Sequence, residues 1–202
     1  NILAFTVAYL LTKGIKGSNI FRTVFFMPNL IGGIVLGYIW SMIFDGILSR
    51  YNTSILLNST YGFWGLIILM AWQQIGYMMI IYIAGLQAVP GDMLEAAKID
   101  GASEWKTLWD IIIPNVMPSI TICTFLTLTN SFKLYDQNLA LTNGRPYNGA
   151  IHTTEMLALN IVNSNTLKTK GVGQAKAVMF FVLVAIIGIF QMKSTHDKEV
   201  QQ

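Results

Sequence analysis

Four stretches of this sequence are long and apolar enough to cross a bilayer as helices, and that constrains every other reading of the chain. Residues 24–44 contain no charged side chain, and neither does the interval 51–91, whose most apolar part runs from 63 to 86. Residues 111–132 are equally free of charge, while the run 177–192 reaches full length only when extended back to about 172. A helix rises about 1.5 Å per residue, so ~20 such residues span a hydrocarbon core of ~30 Å. The expected fold is an all-α membrane protein, a polytopic transmembrane helix bundle with full spans at about 24–44, 63–86, 111–132 and 172–192. Residues 1–11 are apolar but too short to cross alone, and no basic residues precede them as in a signal-peptide core. They are expected to be the tail of a partial span, and 193–202 a cytoplasmic tail.

Composition supports this placement. Charged residues make up 11% of the chain, against roughly 25% in an ordinary soluble domain, which excludes a well-solvated globule and a disordered chain alike. The net charge of +3 is too small and too scattered for a nucleic-acid surface. The lipid bilayer is the expected partner, and nucleic acid is not. Cys123 is the only cysteine and lies in an apolar run, so it reads as a packed small hydrophobe and offers no internal disulfide or cysteine zinc site. His152 and His196 are expected on opposite sides of the membrane, so no catalytic triad or metal cluster can be drawn, and His152 near Glu155 reads as an ordinary surface pair. The chain lacks any Gly-Lys dipeptide and so carries no P-loop of its own.

The connecting segments alternate sides. Lys13, Lys16, Arg22, Lys98, Lys106, Lys193 and Lys198 fall on one side, and Arg50, Arg145, Lys168, Lys170 and Lys176 on the other, with Lys133 near a span end. The bias places the first set in the cytoplasm and the segments around Asn52 and Arg145 outside. Pro28, Pro114 and Pro118 are expected in the first turns of their spans, where a missing N–H costs little. Gly33 and Gly37, with Gly32 beside them, form a small-xxx-small pair that lets another helix approach closely. The triplets at Asn52 and Asn58 match the glycosylation pattern and are read as chance.

One connection differs from the rest. Residues 92–113 hold seven charges together with helix formers and apolar residues at helical spacing. Met93, Leu94, Ala97 and Ile99 precede Gly101, and Trp105, Leu108, Trp109 and Ile112 follow it. That pattern predicts two short helices broken at Gly101, with Asp92 and Glu95 arranged as a capping box for the first and Ser103 capping the second. The apolar faces suit either the headgroup interface, through Trp105 and Trp109, or a groove on another subunit.

Glu95-Ala96-Ala97, then Gly101, then Ile113-Pro114, resembles the cytoplasmic signature of binding-protein-dependent ABC importer permeases. The resemblance extends to the sugar-type branch, similar to maltose and glycerol-phosphate permeases, through Lys16-Gly17, the run from Phe21 to Pro28, Trp40, Asp136, and Leu141-Thr142-Asn143-Gly144-Arg145-Pro146, where Arg145 replaces the more usual Gly; the helix expected from Thr154 to Asn160 resembles the next element. It implies the type I importer core with the MetI-like fold, a transport subunit rather than an enzyme, in the inner plasma membrane of a prokaryote. It also implies an ABC ATPase subunit that binds ATP and Mg, a second and different permease subunit, and an extracytoplasmic sugar-binding protein, with no cofactor in this chain. Glu95, Ala96, Ala97, Gly101 and Pro114 would form the ATPase-coupling element.

Polar groups inside spans are expensive, so those present are candidates for the translocation path. Gln73, Gln74 and Tyr77 occur in one span, and Asn130, Tyr135 and Asp136 cluster near the end of the next, with Trp72 and Phe132 as aromatic neighbours and Lys133 spaced to pair with Asp136. The same polar groups could instead bond between helices. A stand-alone channel or secondary carrier using Lys133 and Asp136 as an ion path leaves 92–113 unexplained, and a scaffold that only anchors a partner leaves the polar span residues unexplained.

Overall fold

A computed structural model describes residues 1–144, 147–148, 151–152, 154–165 and 169–199. The chain is almost wholly helical: α1 (Ile2–Thr12), α2 (Ser18–Phe26), α3 (Gly33–Leu48), α4 (Ser59–Gln87), α5 (Gly91–Ile99), α6 (Glu104–Thr107), α7 (Ile113–Phe132), α8 (Asp136–Leu141), α9 (Leu157–Ser164) and α10 (Lys170–Glu199). A two-residue antiparallel pair, Tyr147–Asn148 with Ile151–His152, lies between α8 and α9. Among the described residues, three helices are long and apolar enough to cross a membrane: Ser59–Gln87, Glu104–Phe132 and Lys170–Gln191. They contain the stretches 63–86 and 111–132 and nearly all of 172–192, and residues 1–11 fall largely in α1.

The stretch 24–44 behaves differently from the single span expected of it. Helix α2 ends at Phe26, Met27–Leu30 forms a 3-10 turn, the chain breaks at Ile31 and Gly32, and α3 starts at Gly33. Pro28 sits at the end of one helix, not at the start of a span. Its ring nitrogen cannot bond back to the Val24 carbonyl, and the Gly32-Gly33 pair that follows is a poor helix former. Only the two flanking helical segments taken together are long enough to cross.

Contacts divide the chain into two compact units, Asn1–Met27, Gln73–Thr127 and Gln191–Gln202 in one and Pro28–Trp72 with Leu128–Phe190 in the other. In the first, Ala4, Ala8 and Leu11 of α1 meet Met78, Met79, Tyr82 and Ile83 of α4, and Ile112, Val116 and Cys123 complete the core. The spacings of three, four and seven put each set on one helix face. A polar tie crosses this apolar seam: the Tyr82 hydroxyl donates to Asn1 Oδ1 at 3.1 Å, and Asn1 Nδ2 donates to Thr127 Oγ1 at 3.0 Å. Gly76 of α4 lies directly under the backbone carbonyl of Phe25, so close that a Cβ would clash with the oxygen.

In the second unit, Leu36, Ile55, Leu66, Leu69 and Leu141 form the core. Trp40 packs on Phe44 at 4.9 Å and edge-on to Trp72 at 5.6 Å. The Gly33 and Gly37 pair receives a helix, as its spacing suggests. That helix is α8, and a Cβ on Gly37 would stand 2.7 Å from the Ala140 Cβ and 3.0 Å from the Gln137 carbonyl. Asn58 caps a helix. Its Oδ1 accepts from Thr60 N–H at 2.9 Å, capping the first turn of α4.

Asn138 of α8 is fully buried and holds the segment before α9. Its Nδ2 donates to the Thr154 carbonyl at 2.7 Å, and its Oδ1 accepts from Met156 N–H at 3.0 Å. Asn138→Ala leaves both backbone groups unpaired and is expected to cost about 2–4 kcal/mol, because each buried orphan carries its full desolvation penalty. Thermal unfolding of the purified variant checks this, and a midpoint equal to wild type would show that water replaces both bonds.

Candidate functional site: the charged helical hairpin

The segment between α4 and α7 folds by local rules that can be followed residue by residue. Helix α5 starts at Gly91 with Pro90 at the N-cap, so Asp92 lies inside the first turn and makes no capping bond. The capping box expected of Asp92 and Glu95 is thus replaced by a proline entry whose fixed φ is already compatible with helix. At the other end, Gly101 adopts φ +70, Ala102 N–H bonds the Ala97 carbonyl at 2.9 Å and Gly101 N–H bonds Lys98 at 3.1 Å. These two bonds define a Schellman stop, which needs a left-handed residue where Gly101 stands. Ser103 Oγ then accepts from Lys106 N–H at 3.2 Å and caps the next helix, as its position suggests.

The second arm differs from the expected separate short helix. From Glu104 the chain stays helical to Phe132, through α6, a π-helical stretch at Leu108–Ile112, and α7. The wide turn, closed by Ile113 N–H on the Leu108 carbonyl, immediately precedes Pro114. Pro114 cannot donate to the Asp110 carbonyl, and the adjacent Ile111 carbonyl accepts instead from Asn115 Nδ2 at 2.8 Å. Pro114 and Pro118 therefore lie inside a continuous helix, not at an entry point.

The hairpin splits its apolar residues between two faces. Leu94, Ala97, Leu108 and Ile112 turn inward, whereas Ile99 is 86% exposed, Trp105 69% and Met93 43%. Trp105 and Trp109 stack edge to face with centroids 5.9 Å apart. Glu95 and Ala96 are exposed on α5, and Glu95 makes no hydrogen bond or ion pair among the described residues. The outer face thus offers a carboxylate, a small residue and exposed apolar side chains together.

One contact was invisible to sequence periodicity. Lys13, just past α1, donates from Nζ to Glu104 Oε2 at 2.6 Å and lies 4.8 Å from the Tyr9 ring centre. The Glu104 carboxylate holds the Lys13 ammonium above its ordinary range. Behind this bridge lies a cleft of about 480 Å³, lined among others by Tyr9, Leu86, Leu94, Lys98 and Thr107. The two charges stand 91 positions apart, and the nearest available signal was that both flank helices sharing a core.

The candidate path residues fall in different units. Gln73 and Gln74 are half-buried on α4 and Tyr77 is exposed there, all in the first unit. Asn130 on α7, Tyr135 after it and Asp136 at the start of α8 belong to the second, where Asp136 packs against Gly33. The Lys133–Asp136 pairing expected on one helix does not form, because α7 stops at Phe132 and the two residues lie on either side of a helix break. Arg145 and Pro146 lie outside the described residues, as do the side chains of His152 and His196.

Apolar helices long enough to span a bilayer, two of them joined by one charged hairpin that carries exposed apolar side chains on its outer face, define a polytopic membrane protein. Residues 1–193 match the family described as binding-protein-dependent transport system inner membrane component, and the chain belongs to that family. The probable starch degradation products transport system permease protein AmyD of Thermoanaerobacterium thermosulfurigenes is 42% identical over 210 residues, covering 100% of this chain and 70% of the relative. The multiple sugar-binding transport system permease protein MsmF of Streptococcus mutans is 30% identical, over 98% of this chain and 71% of the relative. The fold matches, with TM-score 0.79 and 16% identity, a chain of a bacterial ABC transporter that imports the acidic polysaccharide alginate, over 96% of this chain and 72% of that one.

Proposed function

We propose that this chain is the membrane-spanning permease subunit of an ATP-driven importer for carbohydrate. It works in the plasma membrane of a prokaryote and receives its cargo from an extracytoplasmic binding protein. ATP and Mg are held by a separate ATPase subunit seated on the 92–113 hairpin, and a second, different permease chain completes the path. The observation that carries the reading is the outer face of α5: Glu95 and Ala96 stand exposed beside Met93 and Ile99, on a helix fixed at both ends by Pro90 and by the stop at Gly101. Exposed apolar surface next to an unpaired carboxylate is the composition of a docking face, since burial rewards the former and a basic partner group the latter. Ala96 allows close approach. Movement of the docked partner then reaches the bilayer through the helix that begins at Glu104. The sugar assignment draws support from the relatives named for starch degradation products and multiple sugars. Gln73, Gln74, Tyr77, Asn130, Tyr135 and Asp136 supply planar polar groups and rings suited to hydroxyl-rich cargo.

Glu95→Lys tests it. In the assembled importer the variant is expected to lose maltotriose uptake and sugar-stimulated ATP hydrolysis by about tenfold or more, a change of ~1.4 kcal/mol per decade in coupling. Basal hydrolysis by the ATPase should remain. Undiminished association and coupling in Glu95→Lys would remove the hairpin from the drive train.

A further inference from the structure

Helix α3 carries a polar stripe that none of the path residues uses. Tyr38, Ser41, Met42 and Asp45 recur at three-, four- and seven-residue spacing, so they share one face of an otherwise apolar helix. Facing them are Leu56 and Asn143, and together the six line a cleft of about 600 Å³. That volume lies within the range of small-molecule sites, ~300–1,000 Å³. All six belong to the same compact unit. By loop alternation the end of α3, Leu56 and Asn143 fall on the side expected to be extracytoplasmic.

Each group is held in place by its own local bonds. Asp45 Oδ1 accepts from Ile55 N–H at 3.2 Å, and its second oxygen has no partner among the described residues. Asn143 takes a left-handed backbone, φ 50, its N–H bonded to the Ala140 carbonyl at 3.2 Å. Its Nδ2 reaches the Ser41 hydroxyl at a long 3.4 Å, and Ser41 is only 3% exposed. Tyr38 stands 55% exposed at the rim and presents a ring and a hydroxyl. A carboxylate within an apolar helix is costly, and one backbone N–H offsets only part of that cost.

We propose that this cleft is a saccharide subsite at the outer mouth, selective for neutral sugar, a reading that rests on the carbohydrate assignment above. The Asp45 carboxylate and the Asn143 amide take ring hydroxyls, Ser41 steadies the amide, and the Tyr38 ring covers the apolar face of a pyranose. Asp45 is the only charged residue of the six, so a uronate or phosphate meets like-charge repulsion and finds no compensating cation among these described lining residues.

The test is equilibrium dialysis of labelled maltotriose, and of a uronate trisaccharide, against the assembled importer, purified without its binding protein. Tyr38→Ala and Asn143→Ala are each expected to weaken maltotriose binding by about tenfold, while Tyr38→Phe keeps most of it. Asp45→Asn retains an acceptor for Ile55 N–H but loses the charge. It is expected to bind the uronate measurably where wild type does not, a change that a merely structural role would not produce. If wild type imports maltotriose with its binding protein but all variants bind both sugars as wild type does, the subsite is wrong and the carbohydrate reading stands. If the wild-type importer moves no saccharide, both fail together.

Discussion

Gly101→Val in the assembled importer is expected to abolish most sugar-stimulated ATP hydrolysis and uptake, at least tenfold, while Gly101→Asn retains most of both. The difference follows from backbone geometry. A Cβ at Gly101 meets nothing within 4 Å, so no clash separates the variants. What separates them is φ +70, a conformation costing an ordinary L-residue roughly 1–2 kcal/mol and a β-branched one more, but which asparagine tolerates. Val at this position favours a helix that runs on past Ile99, which would carry Glu95 and Ala96 away from the direction set by the Schellman stop. Equal activities of the two variants, measured at matched importer concentration, would mean that the stop plays no part in coupling.

Gly76→Ala should destabilise the permease severely, lowering its yield and its thermal midpoint. The added methyl would fall on the Phe25 backbone carbonyl, and a carbonyl at a helix end cannot turn aside as a side chain can. Overpacking of this kind costs roughly 3 kcal/mol or more when the backbone must shift. Gly85→Ala supplies the comparison, because the shortest contact of its Cβ is the Ser119 hydroxyl, which can rotate away, leaving the Ser119 Cβ at 2.9 Å for a small helix shift to relieve. Size-exclusion profiles and thermal midpoints of the two purified variants should differ sharply. A Gly76→Ala complex as stable as Gly85→Ala would show that the end of α2 yields easily.

Much of this molecule could be read from the order of its residues, and the limits of that reading have physical causes. The apolar runs located the long helices because a bilayer demands length and lack of charge, both local properties. Ser103 as a cap, Gly101 as a stop and Gly33 with Gly37 as a helix seat were legible for the same reason: each acts on neighbours within a turn or presents one bare face. The break at Ile31 and Gly32 was missed because uncharged composition alone does not distinguish a straight span from two helices. Asp92 lost the capping position to Pro90 since two residues with helix-starting chemistry compete within one turn. The Lys13–Glu104 bridge and the Asn138 clamp join segments far apart in sequence, where periodicity carries no information. The α3 stripe was also overlooked. Asp45 lies one residue beyond the uncharged run, so the length and lack of charge that mark a span end just short of it.

The helix that begins at Glu104 does not pause at the membrane surface, and this has a consequence for how a stroke is delivered. A jointed linkage would dissipate part of any displacement in the joint; a continuous rod of 29 residues, about 43 Å at 1.5 Å per residue, transmits it with little loss. The π-helical stretch at Leu108–Ile112 sets the rod's angular phase. One residue more or fewer there would leave the rod intact but turn everything beyond it by about 100°, so the hairpin and the bilayer segment keep their relative azimuth through a count of five residues.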